Sequence, residues 1–326
     1  MKDYSEMAME CYAYNPPMTR QPDFDAFWAE NLAALRARPL NLTMKRVNKT
    51  AERTDEYDFY YDGSDGSRIH GIALKPKGSI GCPIVLHYHG FGGSCGEHHW
   101  YYDMAKLGYA VFAIDMRGQG GSSENRFAYG YRGTHLMSMG APDHHQYYVK
   151  WQILDCIRLA DIACGADFTD SSVLVTHGSS QGGAASVTVS ALDSRVTHCI
   201  CDVPSNTDIV RRIEGRHGSF AALADYLETF PQRREEVYRM VSYFDTMNLA
   251  GRITAHVYAS CALNDDVCPG KLFFACFNKI QSPKAIEIYY ESGHEGGGDY
   301  HHARKLGYLK RVAANRAEPA AAAATL

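Results

Sequence analysis

Three residues, met in a fixed order along the chain, can together carry out acyl transfer. Ser180 sits at the centre of Gly178-Ser179-Ser180-Gln181-Gly182, a G-x-S-x-G pattern; Asp265 and His294 follow it. A serine hydroxyl is a weak nucleophile at neutral pH. It needs a base to take its proton, a carboxylate to orient that base, and two N–H donors for the oxyanion. The pattern alone is weak, because a chain with 29 glycines produces it by chance in roughly one case in six. Its weight depends on the elements around it.

The β-branched run Val173-Leu174-Val175-Thr176 stops at His177, and a small-residue run from Gly183 can begin a helix. Strand, tight turn and helix around the serine form a nucleophile elbow, where glycines on either side let the chain turn sharply. Asp265 follows a predicted strand over 254–259, with Asp266 as the alternative acid. His294 follows a predicted strand over 285–291. Each carboxylate could instead cap the helix expected after Pro269. The joint order, each residue after a strand, favours a catalytic set. The oxyanion donors expected are the N–H of Gln181, next to the nucleophile, and that of Phe91, in the loop His89-Gly90-Phe91-Gly92 after the first central strand.

These strands belong to a longer alternation. Tyr57–Tyr61 and Arg68–Leu74, separated by a Gly/Asp turn, predict a β-hairpin. Strands are then expected over 83–89, 109–116, 172–177 and 196–203, before the two already named. Helices are expected over 147–163, 184–192 and 300–316. Such alternation implies an α/β fold, a mostly parallel sheet flanked by helices. Before it comes a polar, Pro-punctuated N-terminal arm (1–22) and a helix from Asp23 to about Arg38, with Phe24, Phe27, Trp28, Leu32 and Leu35 on one face. The connection 120–146 is too long for an ordinary βα loop. Residues 205–248 form a helical insertion. One domain over 1–318 is expected, with an N-terminal arm and helix (1–40) and a disordered Ala-rich tail at 319–326.

Composition narrows the partners. A net charge of −4 gives no electrostatic case for nucleic acid, and no apolar run spans a bilayer. Ten cysteines without a C-x-x-C pair, and an N-terminus without an apolar leader, suggest reduced thiols and the cytoplasm. His87, His89, His98, His99, His144, His145, His301 and His302 show no metal-ligand spacing, so neither metal nor cofactor is expected. His89 is assigned to the oxyanion loop.

Arg117-Gly118-Gln119, Gly178-Ser179-Ser180-Gln181-Gly182 and His294-Glu295 together resemble the three signature motifs of the acetyl xylan esterase/cephalosporin-C deacetylase family, carbohydrate esterase family seven. Arg20–Trp28 and Ser242–Ala250 resemble further segments of that family. The resemblance implies an α/β-hydrolase fold, Ser180 as nucleophile, Asp265 as orienting acid and His294 as base. It implies that Arg117 and Gln119 brace the site and that Glu295 is the acid beside the base. It also implies deacetylation of small sugar esters and cephalosporins by a hexamer, with 120–146 as an interface insertion. Departures from the pattern are Phe91 for Tyr, Gly270 for a second Pro, and Lys150 for Arg. A broad carboxylesterase or peptidase, or a non-catalytic binding protein on the same fold, are the competing readings.

Overall fold

The computed structural model describes residues 4–317; the tail expected at 319–326 lies outside them. Among the described residues, nine strands form one sheet: β1 (Thr43–Arg46), β2 (Thr54–Asp62), β3 (Arg68–Pro76), β4 (Cys82–Tyr88), β5 (Ala110–Ile114), β6 (Thr169–Ser179), β7 (His198–Asp202), β8 (His256–Ala262) and β9 (Lys284–Tyr289). Their order is β1-β2-β3-β5-β4-β6-β7-β8-β9. The expected hairpin is β2–β3, paired antiparallel from Thr54↔Pro76 to Asp62↔Arg68. From β5 through β9 every neighbour is parallel. The carboxyl ends of these strands therefore share one edge, where ligands bind in open parallel sheets.

Helices cover both faces: α1 (Tyr4–Ala13), α2 (Phe24–Arg36), α3 (Tyr102–Lys106), α4 (Tyr148–Cys164), α5 (Gln181–Leu192), α6 (Ile209–Glu214), α7 (Ala221–Thr229), α8 (Arg234–Ser242), α9 (Thr246–Leu249), α10 (Gly270–Phe277) and α11 (Gly298–Ala317). Alternate strand residues go to opposite faces. Ile84, Leu86 and Phe112 pack with α2, α4 and α5. Val85, Val111, Val175 and Ile200 pack with Tyr101, Met104, Leu309 and Val312, of which Met104 is on α3 and the last two are on α11. Burial on both sides is why these strands read as nearly unbroken apolar runs.

Within the N-terminal arm, Tyr4–Ala13 forms a helix that the sequence reading did not name, and it buries Cys11. Pro16 and Pro17 stand near the start of the irregular stretch that follows the helix, and they masked it in the sequence. Strand β1 was also unforeseen: its burial is mostly exposed, so Thr-Met-Lys-Arg shows no apolar alternation. Within the helical insertion, Asp245 accepts the N–H groups of Asp208, Ile209 and Met247. Asn248 binds Thr19 through both side-chain atoms and donates to the Ser242 carbonyl. These bonds give the Ser242–Ala250 segment its structural role. The connection 120–146 is irregular apart from one 3₁₀ turn at Leu136–Ser138.

Candidate active site

Strand β6 runs two residues beyond its predicted end, to Ser179, and α5 begins at Gln181, so Ser180 alone makes the turn. It holds φ 58° and ψ −119°, a conformation that costs a non-glycine residue of order 1–3 kcal/mol and persists only where the surroundings impose it. The surroundings do so. The Ser180 N–H donates to the Asp202 carbonyl at 2.9 Å, and the Ser180 carbonyl accepts from Ala184 and Ser205. Gly178 and Gly182 are required by close approach. A Cβ on Gly182 would lie 1.9 Å from the Tyr88 carbonyl oxygen, and one on Gly178 would lie 2.5 Å from the same atom.

Asp265 and His294 are brought together from the ends of β8 and β9. His294 Nδ1 lies 2.8 Å from Asp265 Oδ2, while Asp265 Oδ1 accepts the N–H groups of Val267 and Cys268 at 2.9 and 2.7 Å. Burial alone would raise the Asp265 pKa. The His294 hydrogen bond, followed by those from Cys268 and Val267, outweighs it and holds the carboxyl below its ordinary value. The neighbouring Asp266 is exposed and reaches the site only through its backbone carbonyl, which accepts from His217 Nδ1. Neither aspartate caps α10.

Ser180 and His294 line one pocket of about 660 Å³, together with Gly90, Phe91, Gln181 and Cys268. No hydrogen bond joins Ser180 Oγ to His294; its polar neighbour is Cys268 Sγ at 3.8 Å. Catalytic bonds of this kind often tighten only with substrate in place. Gln181 is the first residue of α5, so its N–H has no intrahelical acceptor, and the Phe91 N–H is likewise taken by no described protein group. Two larger hollows, of about 790 and 760 Å³, lie elsewhere and contain neither Ser180 nor His294.

Gln119 links the two expected donor segments. Its Oε1 accepts the Gly92 N–H at 2.7 Å, one residue from Phe91, and its Nε2 donates to Gln181 Oε1 at 2.9 Å and Tyr148 Oη at 2.8 Å. Arg117 is fully buried and makes fork-like contacts with Asp155 (2.6 and 2.8 Å) and Asp65 (2.9 and 3.1 Å). Its carbonyl accepts from Tyr148 Oη. Burial pushes the Asp155 pKa up to about 6 despite Arg117, whereas at Asp65 the guanidinium prevails over burial and lowers it. His89 fixes the start of the loop expected to hold the oxyanion: Nδ1 donates to the Gly90 carbonyl and Nε2 accepts the Met116 N–H.

Glu295 is exposed and accepts the Gly293 N–H through Oε1, so its carboxylate supports the His294 turn from outside. The following Gly296, Gly297 and Gly298 have φ of 56°, 87° and 51°. Three successive left-handed residues explain the glycine run that leads into α11.

Sequence reasoning missed Cys268 and Arg212. Fully buried Arg212 donates to the carbonyls of Pro204, Thr207 and Val267, tying the segment after β7 to the Asp265 loop. Neither residue belongs to a motif legible without the fold. Among the described residues, one His/Cys/Asp group, His70, Cys95 and Asp115, clusters its potential ligand atoms. The Asp115 oxygens are already engaged by His70, Cys95 N–H and Ser122 N–H, the pattern of a loop brace. No helix among the described residues is long and apolar enough to cross a membrane.

The family model for acetyl xylan esterase matches residues 3–312. Acetyl esterase Axe7A of Xylanibacter ruminicola is 29% identical over 307 residues, covering 91% of this chain and 69% of that protein. An acetyl xylan esterase from Paenibacillus sp. R4 superposes with a TM-score of 0.90 at 33% identity, over 93% of this chain and 98% of that one. Acetyl xylan esterase 1 from Thermoanaerobacterium sp. JW/SL YS485 gives 0.87 at 28% identity, over the same shares.

Proposed function

We propose a mechanism and substrate class for this chain, which belongs to the acetyl xylan esterase family and is a carboxylic ester hydrolase with an α/β-hydrolase fold. The proposed reaction removes acetyl groups from small acetylated sugars of the xylo-oligosaccharide type, and from cephalosporin C, through an acetyl-enzyme on Ser180. His294 Nε2 takes the Ser180 proton as Oγ attacks the acetyl carbonyl. The N–H groups of Gln181 and Phe91 receive the developing oxyanion. The tetrahedral intermediate collapses, the C–O bond to the sugar breaks, and His294 returns its proton to the departing alcohol. Water, deprotonated by His294, then attacks the acetyl-enzyme; the bond to Ser180 Oγ breaks, His294 returns the proton to Oγ, and acetate leaves. Asp265 holds His294 with Nδ1–H bound and Nε2 free, and it stabilises the imidazolium formed in each half-reaction.

The observation that carries this reading is the 2.8 Å Asp265–His294 pair, opening on the pocket that contains Ser180. The short acyl group is supported by Cys268, whose sulfur stands 3.8 Å from the nucleophile. Hydrolysis of p-nitrophenyl acetate and butyrate by wild type and Ser180→Ala tests it. Acetate preference with loss of activity in the variant is expected. Equal rates for the two proteins would remove Ser180 from the mechanism, and a preference for longer esters would replace the deacetylase by a broad carboxylesterase. Acetylated xylose and cephalosporin C, assayed side by side, rank the proposed substrates.

A homo-oligomer, hexameric by the family resemblance, is part of the same proposal. Trp100 and Ile80, 62% and 83% exposed, are apolar surface available for it, and light scattering gives the stoichiometry. A cytoplasmic location fits ten free cysteines, nine of them buried.

A further inference from the structure

We propose that His135 and Phe91 form an aromatic platform at the pocket mouth that receives the pyranose ring of the leaving alcohol, making His135 a determinant of preference for sugar acetates over ringless acetates. The proposal rests on the esterase reading of the same pocket. The two rings are parallel, with centroids 5.1 Å apart and planes 9° from each other, and both line the pocket with Ser180 and His294. Phe91 is 36% exposed. Its N–H is the proposed oxyanion donor, so whatever lies against its ring is adjacent to the ester being cleaved. A pyranose presents an apolar C–H face, which stacks on an aromatic ring, and a rim of hydroxyls, which need hydrogen-bond partners.

His135 is suited to supply both. Its Nδ1 accepts the Met137 N–H at 3.1 Å, which leaves the proton of the neutral ring on Nε2 as a donor for a hydroxyl. Burial holds its pKa below the ordinary imidazole value, against a weaker opposing effect of Asp225, so the ring is neutral at pH 7. The Ser138 hydroxyl donates to the His135 carbonyl at 2.9 Å, fixing the turn that carries the ring. Phe91 is held in turn by the Gly92 N–H bond to Gln119. A platform ordered before substrate arrives loses little entropy on binding. His135 is also the one residue of 120–146 among those lining the pocket, which gives that long connection a part in the site. The lining contains no carboxylate and one arginine, Arg212, so the ring it receives is neutral or anionic.

The test compares acetylated xylose with ethyl acetate, whose leaving group has no ring. In His135→Asn, the amide oxygen can still accept the Met137 N–H while the ring is lost. Its kcat/KM for acetylated xylose should fall about tenfold, mainly through KM, with less than about a twofold change for ethyl acetate. His135→Phe restores the stacking face without the Nε2 donor and should recover part of that loss. Equal losses on both substrates, an unchanged value for acetylated xylose, or no recovery in His135→Phe would overturn the platform. If Ser180→Ala matched wild type on ethyl acetate, the failure would lie in the esterase reading instead.

Discussion

Two histidine–aspartate pairs sit at the carboxyl edge of the sheet with the same separation. His294 Nδ1 lies 2.8 Å from Asp265, and His301 Nε2 lies 2.8 Å from Asp202. They differ in what surrounds them. The His294 side chain is 35% exposed and its Nε2 meets no described protein partner, whereas the His301 side chain is 3% exposed. His301 Nδ1 is engaged by Tyr289 at 2.9 Å, and Asp202 also pairs with Lys305. The inner pair is saturated, so it can hold α11 against β7 but has no nitrogen to lend. The outer pair leaves one nitrogen without a described protein partner, on the pocket that holds Ser180. A histidine–carboxylate distance therefore does not mark a candidate base; a second nitrogen left without a partner, beside a candidate nucleophile, does.

The largest expected effect separates the pairs by what fails. His294→Ala should lower kcat by about 10³-fold or more with little change in melting temperature. His301→Ala should lower the melting temperature while leaving kcat within a few-fold. Parallel assays and thermal melts of both variants check this; a His301→Ala protein as inactive as His294→Ala, yet fully folded, would break the distinction.

The carboxylates sharpen it through pH. Burial would raise the pKa of both, but at Asp202 the attraction of Lys305 and the bond to His301 prevail, and at Asp265 the bonds from His294, Cys268 and Val267 prevail. Both folded carboxyls thus ionise below their ordinary value. A depressed carboxyl contributes stability that is fully present above the unfolded pKa, about 3.9, and is lost as pH falls through the lower folded value. Asp202→Asn strands Lys305 and should cost about 3–5 kcal/mol near neutrality, a gap from wild type that narrows below about pH 4. Asp265→Asn should reduce kcat by roughly 10²–10⁴-fold, since the wrong histidine tautomer is then favoured. Denaturant melts from about pH 3 to 7, with rates on the same samples, measure both.

Smaller effects belong to groups that only position the outer site. Gln119→Leu removes the bridge between Gly92 and Gln181 and should lower kcat about 10- to 100-fold with KM little changed. Cys268→Gly clears space beside Ser180 Oγ and should raise the butyrate-to-acetate ratio of kcat/KM several-fold, each methylene in such a pocket being worth about 1–3 kcal/mol. Steady-state kinetics on both esters give each value.

The parallel strands and the residues of the outer site were legible because each carries a local signal. Val173–Thr176 is β-branched and apolar, Ser180 stands between obligatory glycines, and Asp265 and His294 each follow a strand. The sequence could not separate Asp265 from Asp266 without the family resemblance, since either can accept N–H groups after a strand; the fold turns only Asp265 inward. Strand β1 and helix α1 escaped notice because exposed elements carry no apolar periodicity. Cys268 and Arg212 were hidden for another reason. Their relation to Ser180 arises where β6, β7 and β8 end side by side, and that proximity exists only in three dimensions.

Covalent labelling tests the central claim most directly. A small sulfonyl fluoride, which acylation-competent serines attack, should inactivate the enzyme in proportion to one adduct per chain, found on the peptide containing Ser180. Ser180→Ala should take up none. Full activity with Ser180 modified, or inactivation with the adduct on another residue, would contradict the account.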